Sequence, residues 1–331
     1  MTDFVYDRSI PVVMLVFNRP DETSRVLNAV ANAKPDRLYV VGDGPRQKSD
    51  EQSVYAVRKL FARLDWQCEV HTLFRDRNLG CKRSVETGLD WFFSMEDRGI
   101  ILEDDCVPGD DFFPFASELL VAHEDSNVVG CITGNNFQSG VQRGEASYYF
   151  SKYNHCWGWA TWRRAWEHYD AEMTMWPDWR ESNEWRSLFD DSVEEKYWRH
   201  IFDRVYEGSI NSWAYPWAAS LWYERKVTAT PNSNLVTNIG FGESATHTQS
   251  PSGRGANKPI GQIETLTHPE TIEVDFLADR YTFDYFVGGR DLRFPRRLML
   301  LPWRVVRYIY RLSRGRASLG DLGAWLRDRR F

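Results

Sequence analysis

The sequence predicts an α/β fold in which a mostly parallel sheet carries helices on both faces. Short apolar runs rich in Val and Ile alternate with segments of helical period through the first half of the chain. Polar residues cluster directly after those runs, where sheets of this kind bind their ligands. The chain has 331 residues, 42% of them hydrophobic, which is enough for a full-sized core.

Each element follows from its residues. Residues 10–17 read as a buried strand. Asn18-Arg19-Pro20-Asp21 is a turn with helix-start chemistry, Asp21 being the expected cap, and Val26, Leu27 and Val30 share one helical face. Residues 37–41 form a second strand, closed by Gly42-Asp43-Gly44-Pro45 and followed by a helix near 51–64. A third strand spans 67–73. After a polar loop, a helix over 81–94 turns Val85, Leu89, Phe92 and Phe93 inward. Ile100-Ile101-Leu102 is a short fourth strand running into Glu103-Asp104-Asp105. A helix over 111–123 and a fifth strand over 128–133 complete the alternation.

The second half is less regular and dense in Trp, from Trp157 to Trp222. Residues 249–262 read as a mobile loop. Aromatic faces bind sugars, but they also fill cores, so 15 Trp, 15 Tyr and 19 Phe decide nothing alone.

The net charge of −6 argues against a general nucleic-acid binder. It is unevenly spread: residues 290–331 hold twelve Arg and no Lys against three Asp. An anionic membrane surface is the expected partner of such a tail. Arg304, Arg307 and Arg311 share a helical face within 296–316, as in an interfacial helix; a helix packed on the body or on a subunit is the alternative. The five cysteines show no C-x-x-C spacing, which fits free thiols in a reducing compartment. Asp3 and Asp7 interrupt the N-terminus, and no apolar stretch approaches the ~20 residues of a membrane span. A soluble cytoplasmic chain, peripheral at most on a membrane, is expected.

Three adjacent carboxylates at a strand end repel one another unless something positive joins them. Glu103-Asp104-Asp105 therefore reads either as a site for Mg²⁺ or Mn²⁺ or as a solvated acidic turn; the strand before it and Val107-Pro108 after it favour the metal. Asp43, in its Gly-Asp-Gly turn, reads as a base contact or as a turn Asp bonding its own backbone. Arg19 reads as a base or phosphate contact or a surface Arg. Gly80, Lys82 and Arg83 open a helix whose N-terminus can hold phosphate; a capped surface helix is the alternative.

Taken together, Asn18-Arg19-Pro20, Val40-Val41-Gly42-Asp43, Asn78-Leu79-Gly80 and Ile101 to Cys106 with Phe112-Phe113 resemble the GT-A glycosyltransferases. The pattern is similar to bacterial family-2-like enzymes and, around Glu-Asp-Asp and Phe-Phe, to N-acetylglucosaminyltransferase I. The resemblance covers about 10–248 and includes the strings at 153–162 and 234–242. It implies a catalytic domain over 1–248, with a nucleotide-sugar half (1–135) and an acceptor half (136–248), a connector (249–289) and a basic tail (290–331). It further implies that Asn18, Arg19, Asp43, Gly80, Lys82, Glu103 and Asp104 contact the donor, a nucleotide-diphosphate sugar. Asp105 and His247 would meet Mn²⁺ or Mg²⁺. Trp157-Gly158-Trp159, with Trp213 and Trp217, would shape the pocket for a glycan or lipid-linked acceptor.

One position departs from the pattern. Ala214 stands where the resemblance leads to Asp, the base that would deprotonate the acceptor hydroxyl. The intact surroundings favour a deliberate inactivating substitution. The alternatives are a natural non-catalytic sugar-nucleotide binder, or another base among Asp178, Asp190, Asp191, Glu194 and Glu195. A sugar nucleotidyltransferase is a further rival, but Asn18-Arg19-Pro20 lacks the Gly-rich loop such enzymes carry after their first strand.

Overall fold

The computed structural model describes residues 4–241 and 255–313. The expected alternation is present: β1 (Val12–Val16), α1 (Pro20–Ala33), β2 (Arg37–Gly42), α2 (Glu51–Leu60), β3 (Glu69–Phe74), α3 (Cys81–Met95), β4 (Arg98–Glu103), β5 (Cys106–Pro108), α4 (Phe112–Ala122) and β6 (Val129–Thr133). The predicted inward faces are buried, including Val26 and Val30 of α1 and Leu89, Phe92 and Phe93 of α3. Asp21 is not the cap of α1. Arg19 holds that position, Pro20 enters the first turn, and Asp21 follows inside the helix.

The second half is more ordered than its sequence suggests. It adds β7 (Tyr148–Ser151), β8 (Trp159–Trp162), β9 (Val227–Pro231) and β10 (Val236–Asn238). Between β8 and β9 lie three single turns, α5 (Arg163–Trp166), α6 (Trp176–Trp179) and α7 (Asn183–Arg186), then the longer α8 (Ser192–Tyr206) and α9 (Ala214–Tyr223). The chain continues through α10 (Phe276–Tyr281), α11 (Arg296–Met299) and α12 (Leu301–Ser313).

The eight-stranded sheet has the order β3-β2-β1-β4-β8-β6-β9-β7, and β10 pairs with β5 in a separate ladder. β1 to β4 are mutually parallel, β6 and β9 are parallel, and β8 and β7 run against their neighbours. Strand residues alternate between two cores: Val12, Met14 and Val16 face one, Val13 and Leu15 the other. A sheet buried on both faces accounts for its continuously apolar strands.

The second core explains the Trp density. Trp159, Trp176, Trp185, Trp217 and Trp222 are among its fully buried side chains. They interlock edge to face, as in the Trp176–Trp185 pair with centroids 4.8 Å apart. Most of the Trp residues are therefore packing, and Trp159 and Trp217, which the resemblance would have shape the acceptor pocket, lie buried in this core. Residues 255–289, expected as loop and connector, are joined to the body: Gly261 N–H donates to Asn234 O at 2.8 Å, Val274 bridges to Phe150, and Asp279 is buried.

Candidate functional site

The strand order reverses between β1 and β4, because β2 and β3 continue to one side and β4 lies on the other. In such sheets the carboxyl ends at this reversal form a crevice. Here those ends carry Phe17, Asn18 and Arg19 on one side and Glu103, Asp104 and Asp105 on the other.

Two cavities open there. The smaller, about 260 Å³, lies among Leu15, Val41, Val85, Asp43, Arg46, Gly80 and Ser84. The larger, about 580 Å³, is walled by Lys82, Asp105, Tyr153, His155, Trp157, Trp213, Ala214, Asn238 and Phe286. Arg19, Cys81 and Glu103 line both, so the acidic strand end is where the cavities meet.

The acids are not free in solvent. Arg19 Nη1 donates to Asp105 Oδ2 at 2.8 Å and lies 3.6 Å from Asp104 Oδ1. Asp105 Oδ1 accepts from Asn238 Nδ2 at 3.2 Å, and Asp104 Oδ2 accepts from Phe17 N–H at 3.3 Å. Burial, then Asp105 and Asp104, pushes the Glu103 carboxyl up to about 8 against the pull of Arg19. Burial, then Asp105, pushes Asp104 up to about 7. Burial works against the Arg19 charge, but the two aspartates outweigh it and raise its pKa. Gly240 makes this arrangement possible. A Cβ there would fall 1.8 Å from Asp105 Oδ2, so the backbone of 240 and the carboxylate occupy adjoining space only because the residue is Gly.

Among the described residues no three His, Cys, Asp or Glu side chains form a metal-holding group, and Arg19 supplies the positive charge at the aspartates. The donor chemistry nevertheless fits a hard divalent cation. Three adjacent carboxyl groups offer the oxygen ligands such an ion takes, and behind the larger effect of burial they raise one another's pKa, a repulsion that a bound cation would relieve. His247 lies outside the described residues.

The other expected residues divide. Asp43 is buried, and its carboxylate accepts from Gly44 N–H (2.8 Å), Asn78 Nδ2 (2.9 Å), Leu79 N–H (2.9 Å) and Gly80 N–H (3.1 Å). A carboxylate has about four acceptor positions. Asp43 thus locks the β2 turn to the loop before α3 rather than offering lone pairs to a base. Asn18 lies at neither cavity wall; it donates to Asp50 Oδ1 at 3.2 Å. Asp50 in turn holds Arg46, whose guanidinium sits 5.0 Å from the Phe17 ring centroid. Lys82 lines the larger cavity, with Nζ donating to Ala171 O at 3.0 Å. Gly80, at φ +79°, starts α3, and the helix N-terminus faces the smaller cavity.

Of the Trp-Gly-Trp string, Trp157 reaches the larger cavity, and Gly158, at φ +75°, packs on Val236. Trp213 lines the same cavity although nearly buried. Ala214 begins α9 and faces it too, so the position where the sequence departs from the pattern it resembles is at the cleft. The substitute bases are placed elsewhere. Asp191 caps α8 and pairs with Arg293; Glu194 pairs with Lys152; Glu195 pairs with Arg199. Asp178 lines a separate groove beside Trp179 and Tyr223. Among the described residues the carboxylates walling the larger cavity are Glu103 and Asp105.

Arg46 and Phe286 were not singled out from the sequence, and His155, Asn238 and Gly240 fall within the strings at 153–162 and 234–242 without a role of their own being assigned. Tertiary contact alone brings them to the strand ends. His155 is held neutral: burial, then Lys258, pushes its pKa down to about 3.

No family model matches the chain, and no curated protein matches it. Among solved structures it is similar to a CMP:2-keto-3-deoxy-manno-octonic acid synthetase complexed with CTP (11% identity, 67% of this chain and 89% of that one, TM-score 0.34). It is also similar to a mannose-1-phosphate geranyltransferase from Thermus thermophilus (11%, 67% and 73%, TM-score 0.29). A third is the 4-diphosphocytidyl-2C-methyl-D-erythritol synthase from Anaerococcus prevotii (10%, 60% and 85%, TM-score 0.26). Likeness at this level assigns neither family nor activity.

Proposed function

We propose that this chain binds a nucleotide-diphosphate sugar across the β1/β4 crevice and acts as a glycosyltransferase toward a glycan or lipid-linked acceptor, in the setting of bacterial surface polysaccharide synthesis. The observation that carries the reading is the meeting of two cavities at a charged junction. The smaller has the apolar walls a base requires and the α3 N-terminus for phosphate. The larger has the room and polar rim for a sugar and its acceptor.

Arg19, held at the junction by Asp105, would balance charge gathering on a departing diphosphate. Glu103, Asp104 and Asp105 would hold Mn²⁺ or Mg²⁺, which when bound supplies further stabilisation of that leaving group. Trp157, Tyr153 and Phe286 narrow the larger cavity around the acceptor. The hydroxyl proton has no acceptor at Ala214, and this favours a second reading, donor binding with slow or absent transfer.

Calorimetric titration with UDP-, GDP- and dTDP-sugars, with and without Mn²⁺, tests the proposal. Saturable binding of one donor, lost in Asp105→Asn, is expected. Absence of binding by every donor removes it. Release of pyrophosphate from a nucleoside triphosphate and a sugar phosphate replaces transfer with sugar-nucleotide synthesis.

A further inference from the structure

We infer that the segment from Phe294 to Ile309 is a docking face for an anionic lipid surface, its apolar side chains set at the headgroup boundary and the exposed Arg296 and Arg297 on lipid phosphate. The inference rests on this segment alone and is independent of the transfer activity proposed above.

Phe294 is 81% exposed and Met299 70%, and Leu298, Val305, Val306 and Ile309 are exposed as well. Exposed apolar side chains scattered singly need no explanation, whereas six within one short segment do. In α12, Val305, Val306 and Ile309 fall on one helical stripe. Tyr308 is buried, so the helix is seated on the body by a different side. The start of the segment is fixed: Arg293 donates to Asp191 Oδ2 and Asp284 Oδ1, each at 2.8 Å, which ties it to the N-terminus of α8. Phe286 and Val287, just upstream, line the larger cavity, so the face lies next in the chain to the cleft wall.

Charge selects the occupant. Residues 290–331 carry twelve Arg against three Asp, while the whole chain is net acidic. A second copy seated symmetrically would set arginines against arginines. An anionic bilayer complements them, and guanidinium binds phosphate in a planar fork. The face lies on the bilayer rather than through it. Among the described residues no helix is long and apolar enough to cross, and 13-residue α12 spans roughly 20 Å of the ~30 Å hydrocarbon core.

The test is co-sedimentation of the full chain with phosphatidylcholine vesicles, with and without phosphatidylglycerol, at low and high salt. We expect binding only with phosphatidylglycerol, weakened by salt. It should fall roughly tenfold for each apolar side chain replaced in Val306→Glu with Ile309→Glu. Val121→Glu, an exposed valine on α4, should bind like the parent. If the Glu pair lowers the melting temperature, Phe294→Ser with Met299→Ser carries the same expectation. Absence of binding, equal binding to both vesicle types, or a solution dimer dispersed by the same substitutions overturns the inference.

Discussion

Arg19 Nη1 sits 2.8 Å from Asp105 Oδ2, so the end of β1 closes onto the end of β4 through one guanidinium–carboxylate pair. Both side chains are largely buried, and Asp104 and Glu103 crowd the same junction. Any divalent ion bound there would meet the acids that Arg19 already engages.

That competition is measurable. Arg19→Ala leaves three carboxylates without their cation. It should lower stability in chelator by about 2 kcal/mol, below the value for a fully buried pair because some solvent reaches both groups. Mn²⁺ should then raise the melting temperature more in Arg19→Ala than in the parent. An equal rise in the two proteins would show that the ion and Arg19 do not share the aspartates.

Gly240 supplies a steric test of the same carboxylate. In Gly240→Ala the new Cβ must displace Asp105, whose Oδ2 lies 1.8 Å from the Cβ position. Donor affinity is expected to fall at least about tenfold, since a charged contact contributes ~1.5–3 kcal/mol. Circular dichroism should show a native spectrum. Parent-like affinity in calorimetry would mean that Asp105 can move without consequence.

The contrast between these residues shows what the sequence could reveal. Glu103, Asp104 and Asp105 were legible because adjacent acids after an apolar run are anomalous in themselves. The helices over Pro20–Ala33 and Cys81–Met95 were legible because their apolar spacing has a helical period. Gly240 stood within the 234–242 string, but its role was not legible, because its requirement comes from a carboxylate 135 positions earlier in the chain. β7 and β8 were missed because Tyr and Trp runs carry no alternation when both faces are buried. Asp43 was ambiguous for a different reason. A Gly-Asp-Gly turn favours a local role and a ligand role alike, and only the fold brings Asn78, Leu79 and Gly80 to its oxygens.

Asp279 gives a pH signature far from the crevice in sequence. It accepts from Ser151 Oγ and from Lys152 N–H, beside Glu194 and the Lys152 ammonium. Burial pushes its carboxyl up to about 7 from an ordinary 3.8, against Lys152 and the hydrogen bonds. The folded chain thus holds a proton that the unfolded chain has released. The stabilisation is full below about pH 4 and is lost as pH rises through about 7. Asp279→Asn cannot titrate. Its stability relative to the parent should rise by about 2–4 kcal/mol between pH 4 and pH 8 and then level off. Urea melts across that range check this; a constant difference would mean that Asp279 is ionised throughout.

On the proposed reading, Ala214 is the residue on which turnover hinges. It opens α9 at the wall of the larger cavity, while Asp191, Glu194 and Glu195 are held in ion pairs of their own. A carboxylate introduced at 214 would enter the cavity that Glu103 and Asp105 line from the strand ends. Ala214→Asp is therefore expected to raise transfer by about 10²- to 10⁴-fold with a verified donor and acceptor, the range typical of a general base. The gain should appear in kcat, with donor affinity nearly unchanged, because the base acts on the acceptor hydroxyl and not on the nucleotide. It should also fall away at low pH as the new carboxyl protonates. If the parent already turns over at the rate of the Asp variant, deprotonation is carried by another group, and Glu103 is the first to replace, as Glu103→Gln.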